Sequence, residues 1–429
     1  MKVSRPLGII ALLLCATSII NGLLPQIQLA IFNGRMPFLM IYLKFMLLGV
    51  LLFAAFSKKL NFSKNIAFWW GLFVLYLIAD LIFTNLIRGV GAFDIFFGYN
   101  AMYFWLLLIP FADVVRVKIS SARIESFVIA ISIPIIILGY AQLVTNHAIL
   151  QTKSLDRRFE VLVYLYYGFV RPFSVFSAPA YYATFVAFVG LLAFSKLLSS
   201  KSLLGRIMLF VYFIFVAIAE YTSYGRAEIL AFSLGLLFIF WWKMMGLKAY
   251  KYVALLWISL VSSILVIILG VAREFLKDGA LFHNQSLIER LGHWVYWIDE
   301  MYHHSDSLLF GTGIFQNGQI SKYGNVVVDN MLIAIALQIG IIGLFISIGY
   351  IWSVWRFVAR RCAASHADID RAQLAFLGLW PVFAIFGTGL NIFPVYAFLA
   401  ILTSQYGATQ YNQQLLTKKH IVHGYRATS

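Results

Sequence analysis

Runs of about twenty apolar residues, separated by short polar connections, recur along almost the whole chain. An α-helix rises 1.5 Å per residue, so a run of that length crosses the roughly 30 Å hydrocarbon core of a bilayer. The runs lie near 7–24, 38–56, 66–84, 95–112, 124–143, 174–195, 207–223, 227–242, 252–271, 328–355, 372–390 and 392–409. In lipid every backbone N–H and C=O must be paired within the protein, which leaves helices and closed barrels as spanning forms. These runs are too long and too evenly apolar for barrel strands, which alternate. The pattern predicts an all-α polytopic membrane protein, one transmembrane domain over 1–429 with about twelve helices. A version with one crossing fewer has the Pro394 region re-entering instead of crossing. Only 12% of the 429 residues are charged, about half the share a soluble domain carries.

The connections alternate in charge. One set holds Lys2 and Arg5; Lys58, Lys59 and Lys64; Arg116, Lys118 and Arg123; Lys196, Lys201 and Arg206; Lys243, Lys248 and Lys251; Arg356, Arg360, Arg361 and Arg371; and Lys418, Lys419 and Arg426. That set has 21 basic residues against 4 acidic ones, whereas the other has 11 basic and 13 acidic. The positive-inside rule places the first set, and with it both termini, in the cytoplasm. The net charge of +16 is then a topology signal and not a nucleic-acid footprint. Lys2 and Arg5 before the first run are read as the flank of a retained helix; Leu14 before Cys15 does not make a lipobox. The two cysteines, Cys15 and Cys362, offer neither a disulfide framework nor a metal cluster.

Two outer segments are long, 144–173 and 272–327, and long ordered connections are usually functional. Of the 11 outer basic residues 8 are Arg, against 9 of 21 on the inner side. Arginine's planar fork grips phosphate oxygens two at a time, so an arginine bias on the face that disfavours cations points to anion binding. Arg171 stands in Phe169-Val-Arg-Pro-Phe-Ser-Val-Phe-Ser-Ala-Pro179, Arg226 in Thr222-Ser-Tyr-Gly-Arg-Ala-Glu228, and Arg290 in Leu287-Ile-Glu-Arg-Leu-Gly-His-Trp294. The bland readings stand beside these: a helix-end anchor for Arg226 with Glu228 as its neighbour, a snorkelling side chain for Arg171, and a solvated helix face for Arg290. Asp329 reads as an N-terminal cap of the span that follows, a job Asn330 shares, and a cap is compatible with a catalytic base. Asp80, near the outer end of the third span, is either an intramembrane functional carboxylate or a polar end group.

The stretch 285–304 predicts an amphipathic helix on the membrane surface, before the tenth span. Leu287, Leu291, Trp294, Ile298 and Met301 form its apolar stripe, while Arg290, His293, Trp297 and Glu300 line a different face. The first long loop gathers Arg157, Arg158, Phe159, Tyr164, Tyr166, Tyr167 and Phe169. Such rings stack on sugars and equally mark membrane interfaces. His283, His293, His303 and His304 match no zinc-ligand spacing, so no metal is expected. Gly311-Thr-Gly313 alone is a turn signal.

Taken in order, Arg171-Pro-Phe-Ser-Val-Phe-Ser-Ala-Pro179, Ser223-Tyr-Gly-Arg226, Arg290-x-x-x-Trp294, Leu309-Phe-Gly-Thr-Gly313, Asp329-Asn-Met-Leu332 and Gln338-Ile-Gly-Ile-Ile-Gly-Leu344 resemble the bacterial O-antigen polymerase and O-antigen ligase superfamily over roughly 165–350. The resemblance implies a membrane glycosyltransferase of the GT-C type, acting at the periplasmic face of a bacterial inner membrane without metal or cofactor. It implies undecaprenyl-diphosphate-linked glycan and membrane lipid as partners, with a chain-length regulator protein beside them and no nucleic acid. The ligase branch typically carries His where this chain has Asp329, which favours the polymerase branch. Arg171, Arg226 and Arg290 are then the diphosphate clamp and Asp329 the general base, with Glu228, Glu289 and His293 as substitutes for the base. Arg157, Arg158, Arg171, Glu228, His293 and Trp297 are the expected substrate contacts. A ligase acting on lipid A-core, a lipid-linked oligosaccharide flippase or other transporter, and a partner protein without chemistry of its own are the alternatives.

Overall fold

The computed structural model describes residues 64–87, 89, 103, 106–107, 109, 121–147, 165–166, 169–176, 179–245, 285–303, 305–313, 330–365 and 367–379. In chain order the helices are α1 (Lys64–Ile82), which runs into a π-helical turn (Phe83–Ile87), α2 (Ser121–Thr145), α3 (Pro179–Ser199), α4 (Leu203–Thr222), α5 (Arg226–Met245), α6 (Gln285–His303), α7 (Ser305–Phe310), α8 (Met331–Ser365) and α9 (Asp368–Gly378). Six of them, α1 to α5 and α8, are long and apolar enough to cross a membrane. Each falls on an expected span. The remaining expected spans lie wholly or partly outside the described residues. One departure from an all-α chain sits in the first long loop, where β1 (Leu165–Tyr166) pairs antiparallel with β2 (Phe169–Val170).

Burial separates a central helix from peripheral ones. In α3, 72% of the spanning window is buried, against 17% in α4. Small residues let neighbours close on α3: a Cβ at Gly190 would meet the Phe232 ring of α5 at 2.6 Å, and one at Gly235 of α5 would meet Leu191 at 2.7 Å. The outer side of α4 shows Leu204, Ile207, Met208, Val211, Ile214 and Ile218 to the surroundings. An apolar face of that extent is solvated by lipid, not water, and these helices mark the chain as a membrane protein.

Polar residues gather at the two ends of α3. At its C-terminal end, Lys196 Nζ donates to Glu125 Oε2 of α2 at 2.5 Å, and the Ile369 amide donates to the other oxygen at 3.2 Å. Ser195 and Ser199 donate to Asp368 Oδ1 at 2.9 and 2.8 Å, and Arg371 Nη2 reaches the same oxygen at 2.6 Å. These bonds tie α2, α3 and α9 together at one end of the bundle.

The tenth expected span is a helix with a break. Gly340 has φ +70 and interrupts α8, about 14 Å along from Met331 at the helical rise. Such a break frees carbonyls that lipid cannot satisfy. Here the Thr312 and Gly313 amides donate to Leu337 O and Gln338 O at 2.6 and 3.0 Å, the Thr312 hydroxyl also donates to Leu337 O at 2.9 Å, and Tyr76 of α1 donates to Ile339 O at 2.7 Å. Gly311, with φ +79, and Gly340 sit face to face, so that a Cβ on either would strike the other segment's backbone. The turn motif Gly311-Thr-Gly313 is thus a plug fitted to the broken helix. Gly340→Ala is expected to destabilise the protein by about 1–3 kcal/mol from the left-handed backbone alone, with the backbone clash added. Thermal unfolding of the detergent-solubilised protein checks this, and an unchanged midpoint would contradict the fit.

Candidate functional site

The end of the bundle opposite the Lys196–Glu125 pair holds the segment that carries Arg171. Its conformation is set by two polar residues four apart on α2, hence on one face of that helix. Gln142 Oε1 accepts from the Phe173 and Ser174 amides at 2.9 and 2.7 Å, and Asn146 Oδ1 accepts from the Val170 amide at 2.7 Å. Ser174 adds a hydroxyl bond to Ile135 O at 2.6 Å. Arg171, half-buried, points its Nε to the Ser223 carbonyl at 3.4 Å. Two motifs that lie 52 residues apart in the sequence therefore meet in space.

Ser223 occupies the turn between α4 and α5 and uses all its polar atoms there. Its amide donates to Ala219 O and Glu220 O at 3.1 and 3.2 Å, its hydroxyl donates to Glu220 O at 2.6 Å, and that hydroxyl accepts from the Gly225 amide at 3.2 Å. Tyr224 beside it has φ +55. The turn starts α5 at Arg226, so this residue stands at a helix N-terminus, where exposed amides and the helix dipole favour anions. Glu228 is buried in the same first turn, and its Oε2 lies where a Cβ on Gly225 would be only 2.6 Å away. Among the described residues, non-glycine positive φ occurs at Asn146, Ser174 and Tyr224, and all three belong to this cluster. Left-handed backbone at non-glycine residues costs free energy and collects at functional sites.

The second outer segment is placed less as expected. Among the described residues of α6 the buried ones are Trp294, Trp297 and Met301, with Ile298 exposed. Trp297, which the sequence assigns to a substrate-facing side, is thus buried with Trp294 and Met301, while Ile298 of the expected apolar stripe is exposed. Steps of three and four from Trp294 to Trp297 to Met301 describe a helix face as well as the expected set, and packing against α7 and α8 selects them. Trp297 is 4% exposed and packs with the core. His293 is half-buried beside it, its Nδ1 without a hydrogen-bond partner among the described residues. Asn330 caps α8, its Oδ1 accepting from the Leu332 and Ile333 amides at 2.9 and 3.1 Å.

Arg226 and Arg290 lie on α5 and α6, but their side chains fall outside the description, as do Arg157, Arg158 and Asp329 altogether. The structure therefore joins Arg171, the Ser223-Tyr-Gly-Arg226 turn and Glu228 in one place. Gln142, Asn146, Ser174 and Glu220 escape the sequence reading as members of it. The signal for the first two was present: an amide pair at i and i+4 at the end of an otherwise apolar span. Among the described residues no group of three or more His, Cys, Asp or Glu side chains is arranged to hold a metal. No protein-family model matches the chain, and neither does any curated protein.

Gln142→Leu strands two backbone amides, each costing about 1–3 kcal/mol when buried unpaired. The expected result is faster hydrogen exchange across 169–176 with α3 unchanged, measured by mass spectrometry. Uniform protection there would mean that Gln142 does not hold the Arg171 segment.

Proposed function

We propose that the protein is a membrane glycosyltransferase that joins oligosaccharide repeat units carried on undecaprenyl diphosphate, releasing undecaprenyl diphosphate at the periplasmic face of a bacterial inner membrane. The observation that supports this reading is the meeting of Arg171 with the Ser223-Tyr-Gly-Arg226 turn through the Ser223 carbonyl. A cation and a helix N-terminus presented together by strained backbone form a receptor for a diphosphate.

In the proposed reaction the acceptor sugar hydroxyl attacks the anomeric carbon of the donor glycan. The new C–O bond forms as the bond from that carbon to the diphosphate oxygen breaks, and the diphosphate departs with the electron pair. Arg171, Arg226 and Arg290 stabilise the charge that develops there. Asp329 takes the hydroxyl proton, a role its geometry must satisfy within hydrogen-bond reach. Asn330 supplies the α8 cap, so a base role for the neighbouring Asp329 does not leave the helix uncapped. The donor bond carries the free energy, so no nucleotide is consumed.

A second reading, a transporter of lipid-linked oligosaccharide, draws support from the broken α8. Discontinuous helices with an unwound point inside the membrane are frequent in transporters. The assay separates the two. Purified protein is given a lipid-diphosphate-linked repeat unit from its host, and products are resolved by size. A ladder of lengthening chains is the expected outcome, insensitive to chelators. Transfer only to added lipid A-core would make it a ligase, and substrate crossing liposomes with no new bond would make it a transporter. Arg171→Ala and Arg226→Ala are each expected to slow chain growth by about 10²–10³, and Asp329→Asn to stop it, with membrane insertion intact. A normal ladder from Asp329→Asn would remove that residue as the base.

A further inference from the structure

Part of the second long segment between spans lies at a depth that a surface loop does not reach. The depth follows from two helices that cross side by side. At its Ser365 end α8 leads into α9, which sits with Glu125, so its Met331 end lies with Arg171 at the other end of the bundle. α1 runs antiparallel to it: a Cβ on Gly349 would meet the Trp69 ring at 2.5 Å, and Tyr76 donates to Ile339 O at 2.7 Å. Lys64 opens α1 and Arg356 lies toward the far end of α8, and these cations mark one edge of the hydrocarbon. About twenty helical residues fill its thickness of about 30 Å. Counted from Lys64 the opposite edge falls near Thr84, and counted from Arg356 near Ala336. Gly340 is then about 6 Å inside that edge, and Tyr76, whose phenol reaches the same break, about 12 Å.

The segment before α8 descends to this level. A Cβ on Gly340 would strike Leu309 O and the Phe310 amide, and the Thr312 and Gly313 amides donate to Leu337 O and Gln338 O. Gly313 in turn lies against Thr84 at the edge. The chain thus goes down through α7 to Leu309 and Phe310 and climbs again to Gly313. Composition follows the descent, with Ser305, Asp306 and Ser307 first and Leu308, Leu309 and Phe310 after. Leu308 packs against the core, whereas Leu309 and Phe310 are 48% and 50% exposed. Exposed apolar side chains inside the hydrocarbon edge have lipid for neighbours. Upstream, α6 ends two residues before α7 begins. Away from Trp294, Trp297 and Met301 it exposes Val295, Tyr296, Ile298 and Tyr302, and tyrosines beside apolar residues suit the headgroup boundary.

We propose that 305–313 is a re-entrant segment whose exposed side, continued by the exposed side of α6, binds the lipid of the leaflet at the Arg171 end. Acyl chains cover Leu309 and Phe310, and the headgroup layer takes Tyr296 and Tyr302. Irregular backbone is tolerated at this depth because the Thr312 and Gly313 amides are spent on carbonyls of α8. The surface anchors α6 at headgroup height, and with it the helix that carries Arg290. The inference concerns lipid contact, and it stands apart from whether the protein makes glycosidic bonds.

The test uses the full chain in liposomes of phosphatidylethanolamine and phosphatidylglycerol. Cys15 and Cys362 are changed to serine, and a nitroxide is attached to one introduced cysteine at a time. Power saturation compares collisions with oxygen, which concentrates in hydrocarbon, and with a nickel chelate, which stays in water. Phe345→Cys, at a position 68% exposed on α8 beyond the break, sets the lipid value. Asp299→Cys, at a position whose side chain is 68% exposed on α6, sets the aqueous value. For Leu309→Cys and Phe310→Cys the oxygen-to-chelate ratio is expected nearer that of Phe345→Cys. A ratio nearer that of Asp299→Cys at either position, or a label shielded from both reagents, overturns the inference. If Phe310→Cys does not elute as a monodisperse folded protein, Leu309→Cys decides alone by the same criteria. The readout needs no catalysis, so the chain-growth assay can fail while this one succeeds.

Discussion

Inside a bilayer no water completes a broken hydrogen bond, and the whole described structure is arranged around that fact. Regular helices meet the demand automatically. Where α8 breaks at Gly340, the demand is met by other parts of the chain: two amides and a hydroxyl from Thr312 and Gly313, and the phenol of Tyr76. This ties the segment before α8 and the far helix α1 to one point about 14 Å inside the span. The π-helical turn that ends α1 places Thr84 beside Gly313, where a Cβ would lie 2.6 Å from its hydroxyl. Glycine is thus required at Gly311 and Gly340, where backbone approaches backbone, and at Gly313, where the Thr84 side chain leaves no room for a Cβ.

The same economy governs the site. Polar side chains in the bundle ends seldom stand alone; they fix neighbouring backbone. Gln142 and Asn146 hold the Arg171 segment by its amides, Ser223 ties the α4–α5 turn to it, and Asn330 closes the start of α8. The arginine is held from the side by a carbonyl, which fixes the position of its side chain without matching its charge. Glu220 departs from this pattern, its buried carboxylate oxygens meeting no hydrogen-bond donor among the described residues.

Much of the architecture was legible because it follows from periodicity and length alone. Spans at 66–84, 124–143, 174–195, 207–223, 227–242 and 328–355 became helices at those places, with ends displaced by a few residues where caps and turns intervene. The short hairpin of β1 and β2 was not legible, since four residues carry too little pattern to compete with an interface reading. The burial of Trp297 on α6 was not legible because two stripes at spacings of three and four both fit its sequence, and the packing of α7 and α8 is what covers Trp297 and leaves Ile298 exposed. For the site, the motif around Arg171 and the turn at Arg226 were visible as local composition. Their contact was not, because nothing in a single sequence states which loops of a bundle touch. The break at Gly340 was hidden for a similar reason: a glycine in an apolar run usually stays helical, and the φ of +70 is imposed by a partner segment.

The polar knot at the other end of α3 has a consequence in time. Asp368 and Arg371 join Ser195 and Ser199 across 169 to 173 residues of chain. At a synthesis rate of about 5–20 residues per second, α3 and α4 wait about 10–30 s in the membrane before α9 is made. Over that interval the Lys196–Glu125 pair, separated by only 71 residues, joins α2 to α3 without α9, beside the packing of Gly139 on Tyr182. The early helices must therefore find their arrangement as a partial bundle, and the late one arrives as a clasp that locks it.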